Sequence, residues 1–255
     1  MAIGNFFRWL RNDRTPTLLP EPLWQATLDE LPFIQRLGDD DKSRLKALTE
    51  AFLAEKEFTS AGGLELSDAI CVSIAIQGCL PILNLGLQSY RDWVGLIVYP
   101  DEFIIPRTQE DEFGIVHEYD DVASGEAWEG GPLIISWRDA QMAGEGYNVV
   151  IHEFAHKLDM LNGEADGIPP LPPGLARQEW EDCLLAAYDD FCMQVEAAEA
   201  SREESLIDPY ATENPGEFFA VLSECFFETP EVLRQLYPAL YGLFVRFYQQ
   251  DPASR

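Results

Sequence analysis

The chain has 255 residues, 47% hydrophobic and 24% charged, which suits a soluble globular protein with a substantial core. It holds 45 acids against 17 bases, a net charge of −28 spread along most of the chain. Such a surface repels nucleic-acid phosphate and anionic membrane, so direct nucleic-acid binding is not expected.

The first residues, MAIGNFFRWLRNDRTP, lack the apolar core and cleavage site of a secretory signal. Residues 1–20 are read as an N-terminal arm, disordered or docked, ahead of a single domain over 21–255. Leu45, Leu48, Phe52 and Leu53 fall at helical spacing within 41–55. Ser67 and Asp68 cap a second helix running towards Pro81. The apolar run AICVSIAIQGCLPILNLGL (69–87) contains Gln77, Pro81 and Asn84 between acidic flanks, so a buried helix is expected rather than a membrane span. WVGLIVYPDEFIIP (93–106), GIVHEYDDV (114–122) and GPLIISW (131–137) read as strands, with LIISW as a candidate sheet edge. Helices follow at 149–161, 176–198, 215–227 and 230–249, the last interrupted at Tyr237-Pro238, with an exposed charged connector over 196–205. Helices, then a small sheet, then helices make an α+β protein. The five cysteines form no CxxC pair, which suits free thiols in a reducing, cytoplasmic setting.

The chemistry centres on NVVIHEFAHKLDMLNG (148–163). Asn148 is a good N-cap and Gly163 a natural C-terminal stop. His152 and His156, four residues apart, project from one helix face, where two imidazoles can reach one Zn²⁺. Glu153 falls beside that point, placed to take a proton from water. Two hydrogen-bonded core histidines are the bland alternative, but two of the chain's three histidines form this pair around a glutamate.

Catalytic zinc commonly takes three protein ligands. HExxHxxGxxH is excluded, because Asp159 and Asn162 stand where its glycine and third histidine belong. His117 lies in a strand-like segment without supporting spacing. Glu217, in YATENPGEFFAVLSECFF (210–227), is the best local candidate, although it also fits the third position of a capping box. Glu224, two turns along the same face, is its rival. Asp159 either orients a histidine or caps local backbone.

Together, HEFAHKLD (152–159) and NPGEFFAVLSECFF (214–227) resemble the Mlc titration factor A family of zinc peptidases, similar around the active site to anthrax lethal factor, a gluzincin-like enzyme. The likeness covers most of residues 40–245. It implies a zincin-like metallopeptidase fold, with a small mixed sheet against the HExxH helix and helical N- and C-terminal parts. It further implies one Zn²⁺ per chain held by His152, His156 and Glu217, with Glu153 as general base and Tyr210 stabilising the transition state. Val221 stands where lethal factor has a second acid, so no role is carried over there. The implied activity is hydrolysis of a peptide or protein substrate, with aminopeptidase action as one form. The alternative is a regulatory protein that sequesters a Mlc-like transcriptional repressor, with peptidase activity secondary. A purely structural zinc is a third reading, against which the intact Glu153 argues.

Overall fold

The computed structural model describes residues 18–110, 116–144, 146–202 and 205–255. Residues 1–17 of the arm expected over 1–20 and the side chain of His117 lie outside them, while Leu19 of that arm is buried. The first elements are α1 (Glu21–Asp29), α2 (Asp39–Glu55), β1 (Glu57–Ser60), α3 (Asp68–Cys79) and β2 (Gly95–Tyr99). β3 (Phe103–Glu110), β4 (Val116–Ala123), β5 (Gly125–Ala127), β6 (Leu133–Ser136) and the one-turn α4 (Trp137–Ala140) follow. α5 (Val149–Asp159), α6 (Arg177–Ser201), α7 (Pro215–Glu228), α8 (Pro230–Leu236) and α9 (Pro238–Tyr248) complete an α+β order.

The main sheet runs β1-β2-β6-β5, parallel across β1, β2 and β6 and closed by antiparallel β5. Every residue of β6 is buried, as a strand covered on both faces requires. Helix α3 lies between β1 and β2 in the chain, as a parallel pair needs a crossover, so helices and strands interleave more than their block order suggests. β2 and β3 do not pair with each other. β3 instead forms a separate two-stranded ribbon with β4, Phe103 opposite Ala123 and Ile104 opposite Val122.

The expectation that LIISW forms a sheet edge is corrected by this topology. β6 is interior, paired with β2 on one side and β5 on the other. The edge comes from the Gly- and acid-rich loop before it, which turns through Glu129–Gly131, with Gly130 at φ 59°, and lays Gly125–Ala127 against Leu133–Ile135.

Ser67 caps α3 by accepting from the Ile70 amide, and Ile70 to Cys79 are all buried. At 12 residues the helix is about 18 Å long, far short of a bilayer core. No helix among the described residues is long and apolar enough to cross a membrane. α6 runs on to Ser201, through most of the segment expected as a connector.

Helix α5 is buried throughout and lies between the sheet and α7. Asn148 caps it by accepting from the Ile151 amide. Phe154, two residues from either histidine and so on the opposite face, inserts among Phe52, Tyr90 and Trp93 at centroid distances of 5.7, 5.1 and 5.7 Å. Lys157 reaches the turn between β5 and β6, donating to the carbonyls of Trp128 (2.6 Å) and Gly131 (2.9 Å). The helix that carries the two histidines is thereby fixed to the core on one side and to the edge hairpin on another.

Candidate metal centre

His152 and His156 direct their Nε2 atoms to one point, 3.1 Å apart. Glu217 Oε2 completes a triangle, 3.0 Å from His152 Nε2 and 3.2 Å from His156 Nε2. Metal bonds of about 2.0–2.1 Å at tetrahedral angles would separate ligand atoms by about 3.3 Å. The triangle therefore fits a tetrahedral metal face, and these three residues are the metal-type cluster found among the described residues. Two imidazoles and a carboxylate suit zinc and leave a fourth position free.

Glu217 reaches this point because of how α7 begins. Asn214 caps the helix by accepting from the Glu217 amide, while the Glu217 carboxylate turns towards the histidines. Two glycines allow the close approach. A Cβ on Gly216 would sit 2.5 Å from the Ala165 carbonyl oxygen, and one on Gly167 would sit 2.5 Å from that of Pro215. Asp159, at the end of α5, accepts from the Gly167 amide at 2.7 Å. Asp159 thus fastens the loop after α5 against the start of α7. Of its two expected roles, this structure shows the backbone one, and its Oδ1 stays buried without a partner, as does His156 Nδ1.

Glu224, the rival for the third position, stands behind the cluster. Its Oε1 lies 2.8 Å from His152 Nδ1, and its Oε2 accepts from the Asn148 amide. It orients the imidazole rather than joining the triangle, the carboxylate–histidine arrangement that fixes a ring's tautomer. Glu228, one turn further, accepts from the amides of Gly144 and Gly146 and from Asn148 Nδ2.

The electrostatics favour a positive charge at the triangle. Burial alone would lower the His152 pKa, but hydrogen bonds to Glu217 and Glu224 outweigh it and hold it well above the usual value. Burial alone would raise Glu217, but hydrogen bonds with His152 and His156 hold its carboxyl far below the usual range. Glu153, 5% exposed, has its pKa raised by burial, and its Oε2 has no hydrogen-bond partner. The Tyr210 ring lies 6.1 Å from that of His152; the residue is 53% exposed, and partial desolvation of its phenol together with the neighbouring acids Glu217 and Glu153 raises its pKa above the usual value.

These groups line a cleft of roughly 500 Å³ with β5, Tyr147 and the end of β4 on its walls. Its acidic wall residues include Asp121, Glu126 and Asp208. The residues the resemblance named, His152, His156, Glu217, Glu153 and Tyr210, all line this one cleft, whereas β5 was missed. Three residues inside SGEAWEGG carry no periodicity, and only the glycine before the acid hints at close approach.

A family model described as glucose-regulated metallo-peptidase M90 matches residues 6–249. The protein named Mlc titration factor A from Pectobacterium atrosepticum is 37% identical over 252 residues, 97% of this chain and 93% of its own length. That from Salmonella arizonae is 40% identical over 236 residues, 91% of this chain and 92% of its own length. Both the family match and this identity span nearly the whole chain, and the chain belongs to the glucose-regulated metallo-peptidase M90 family.

Proposed function

We propose that the chain is a zinc-dependent peptidase of zincin-like design in which His152, His156 and Glu217 hold one Zn²⁺. The observation that carries this reading is the near-equilateral triangle of donor atoms, with the unpartnered Glu153 Oε2 lining the same cleft. A bound Zn²⁺ supplies Lewis-acid polarisation and lowers the pKa of water. Glu153 takes the proton from the attacking water and delivers it to the leaving amine. Tyr210 keeps its proton and donates a hydrogen bond to the developing oxyanion.

Substrate binding follows from the edge strand. Among the described residues no strand pairs with the outer side of β5, and β5 lines the cleft, so an extended peptide can add beside it as another strand. Acids on the cleft walls favour a cationic amino terminus there, which supports aminopeptidase action. The test is Glu153→Gln, which should keep stoichiometric zinc and lose roughly 10²–10⁴-fold in peptide hydrolysis. Undiminished hydrolysis by the zinc-loaded variant would sink the reading.

A second reading has its own support. The name Mlc titration factor A describes titration of Mlc by the relatives, and this chain resembles them along almost their whole length. Under that reading the chain sequesters a Mlc-like repressor protein, with peptidase activity secondary. Capture of such a repressor by both wild type and Glu153→Gln, with no chelator-sensitive hydrolysis of any peptide reporter, would favour it.

A further inference from the structure

We infer that Gly125 is a positioning residue for the base, its missing side chain being what lets the Glu153 carboxylate lie directly beneath the edge strand. The inference rests on the peptidase reading above and deepens it. A Cβ built on Gly125 would sit 2.6 Å from Glu153 Cγ and 2.7 Å from its Cδ, and closer still to Oε1. Real Cβ atoms do not approach a neighbour so closely, so any side chain at 125 must displace the carboxylate or the strand.

The other reasons for a glycine do not apply. Gly125 is absent from the glycines with positive φ, so its backbone is open to any L-residue. It pairs regularly with Ile135 in the β5–β6 ladder. Glycine inside a strand carries a conformational cost relative to alanine, which a close approach can justify. The approach here is to the base itself.

Packing rather than hydrogen bonding has to hold Glu153. Its Oε2 is buried without a hydrogen-bond partner, and the residue is 5% exposed. Most oriented bases borrow a third group to aim them. Here β5 lies over the carboxylate and α5 carries it from below, so the strand that would take the substrate also sets the position of the base. The strand is itself held in place by Lys157, which ties the β5–β6 turn to α5 by hydrogen bonds to the Trp128 and Gly131 carbonyls.

The test is a cycle of Gly125→Ala and Glu153→Ala, the alanine at 153 removing the Cγ, Cδ and carboxylate that the new Cβ would meet. Gly125→Ala should bind zinc with wild-type stoichiometry and keep KM, while kcat falls about 100-fold, as expected of a base displaced by an ångström. In the Glu153→Ala background, which has no base to displace, the same alanine should cause no further loss of the residual hydrolysis. Thermal unfolding of the metal-free proteins reads the packing without activity. Alanine at 125 lowers Tm when Glu153 is intact and leaves it unchanged in the Glu153→Ala background, where no side-chain atom beyond Cβ remains at 153. Wild-type kcat in Gly125→Ala, or an equal fall in Tm in both backgrounds, overturns the inference. Activity retained by Glu153→Gln would instead overturn the peptidase reading, and the Tm cycle would still decide whether the strand confines residue 153.

Discussion

Single side chains in this protein act through their neighbours' geometry. Glu224 illustrates it: its carboxylate spans His152 Nδ1 and the Asn148 amide, joining the imidazole to the N-cap of its own helix. Glu224→Gln keeps the shape and removes the charge, and zinc affinity should fall about 10–100-fold. Competition with a chromophoric chelator measures it, and unchanged affinity would refute the orienting role. Sequence reasoning placed Glu224 on the correct helix face but could not tell a ligand from the group behind a ligand. One helical face offers both Glu217 and Glu224, and only the packing of α7 against α5 decides which meets Nε2 and which meets Nδ1.

At the scale of elements, α5 is positioned by a glycine on the helix beside it. A Cβ on Gly78 of α3 would sit 2.7 Å from Phe154 Cε2, and closer to Cε1 and Cζ. Alanine is favoured over glycine within a helix by about 0.8–1.0 kcal/mol, whereas overpacking a core costs about 1–3 kcal/mol. The clash wins on these magnitudes because Phe154 is already enclosed by Phe52, Tyr90 and Trp93. Gly78→Ala should therefore lower stability in denaturant titration, and Phe154→Leu should relieve most of that loss. A stabilised Gly78→Ala variant would show that α3 and α5 can slide apart. Helices α2, α3, α5 and α7 were legible because caps and apolar spacing mark them locally. β1 and β5 were not, because strands of four and three residues are defined by their partners rather than by any pattern of their own.

Across the whole molecule the acidity is not confined to the surface. Glu153, Asp159, Glu224 and Glu228 are all buried, and all belong to or adjoin the packing of α5 on α7. Burial raises the Glu228 pKa from 4.5 to about 7, although Asn148, Gly146 and Gly144 donate hydrogen bonds to it. The folded chain thus holds this proton more tightly than the unfolded chain. Its stabilisation is complete below the unfolded value and is lost as pH rises through about 7. Relative to Glu228→Gln, which does not titrate, wild type should lose roughly 3 kcal/mol between about pH 4 and pH 8. Urea unfolding at each pH measures the difference, and a constant gap would refute it.

The sequence by itself determined the α5 helix with its cap, the pairing of His152 with His156 on one face, and the candidacy of Glu217 and Tyr210. Those are short-range facts, readable from spacing, capping chemistry and the motifs shared with relatives. Spacing left Glu217 and Glu224 open and the resemblance favoured Glu217, but only tertiary structure showed Glu224 behind His152, Asp159 fastening a loop, and β5 rather than β6 as the edge above Glu153. Each of these depends on contacts between residues far apart in the chain, where close approach at Gly125, Gly167 and Gly216 selects one packing among several that the local pattern allows.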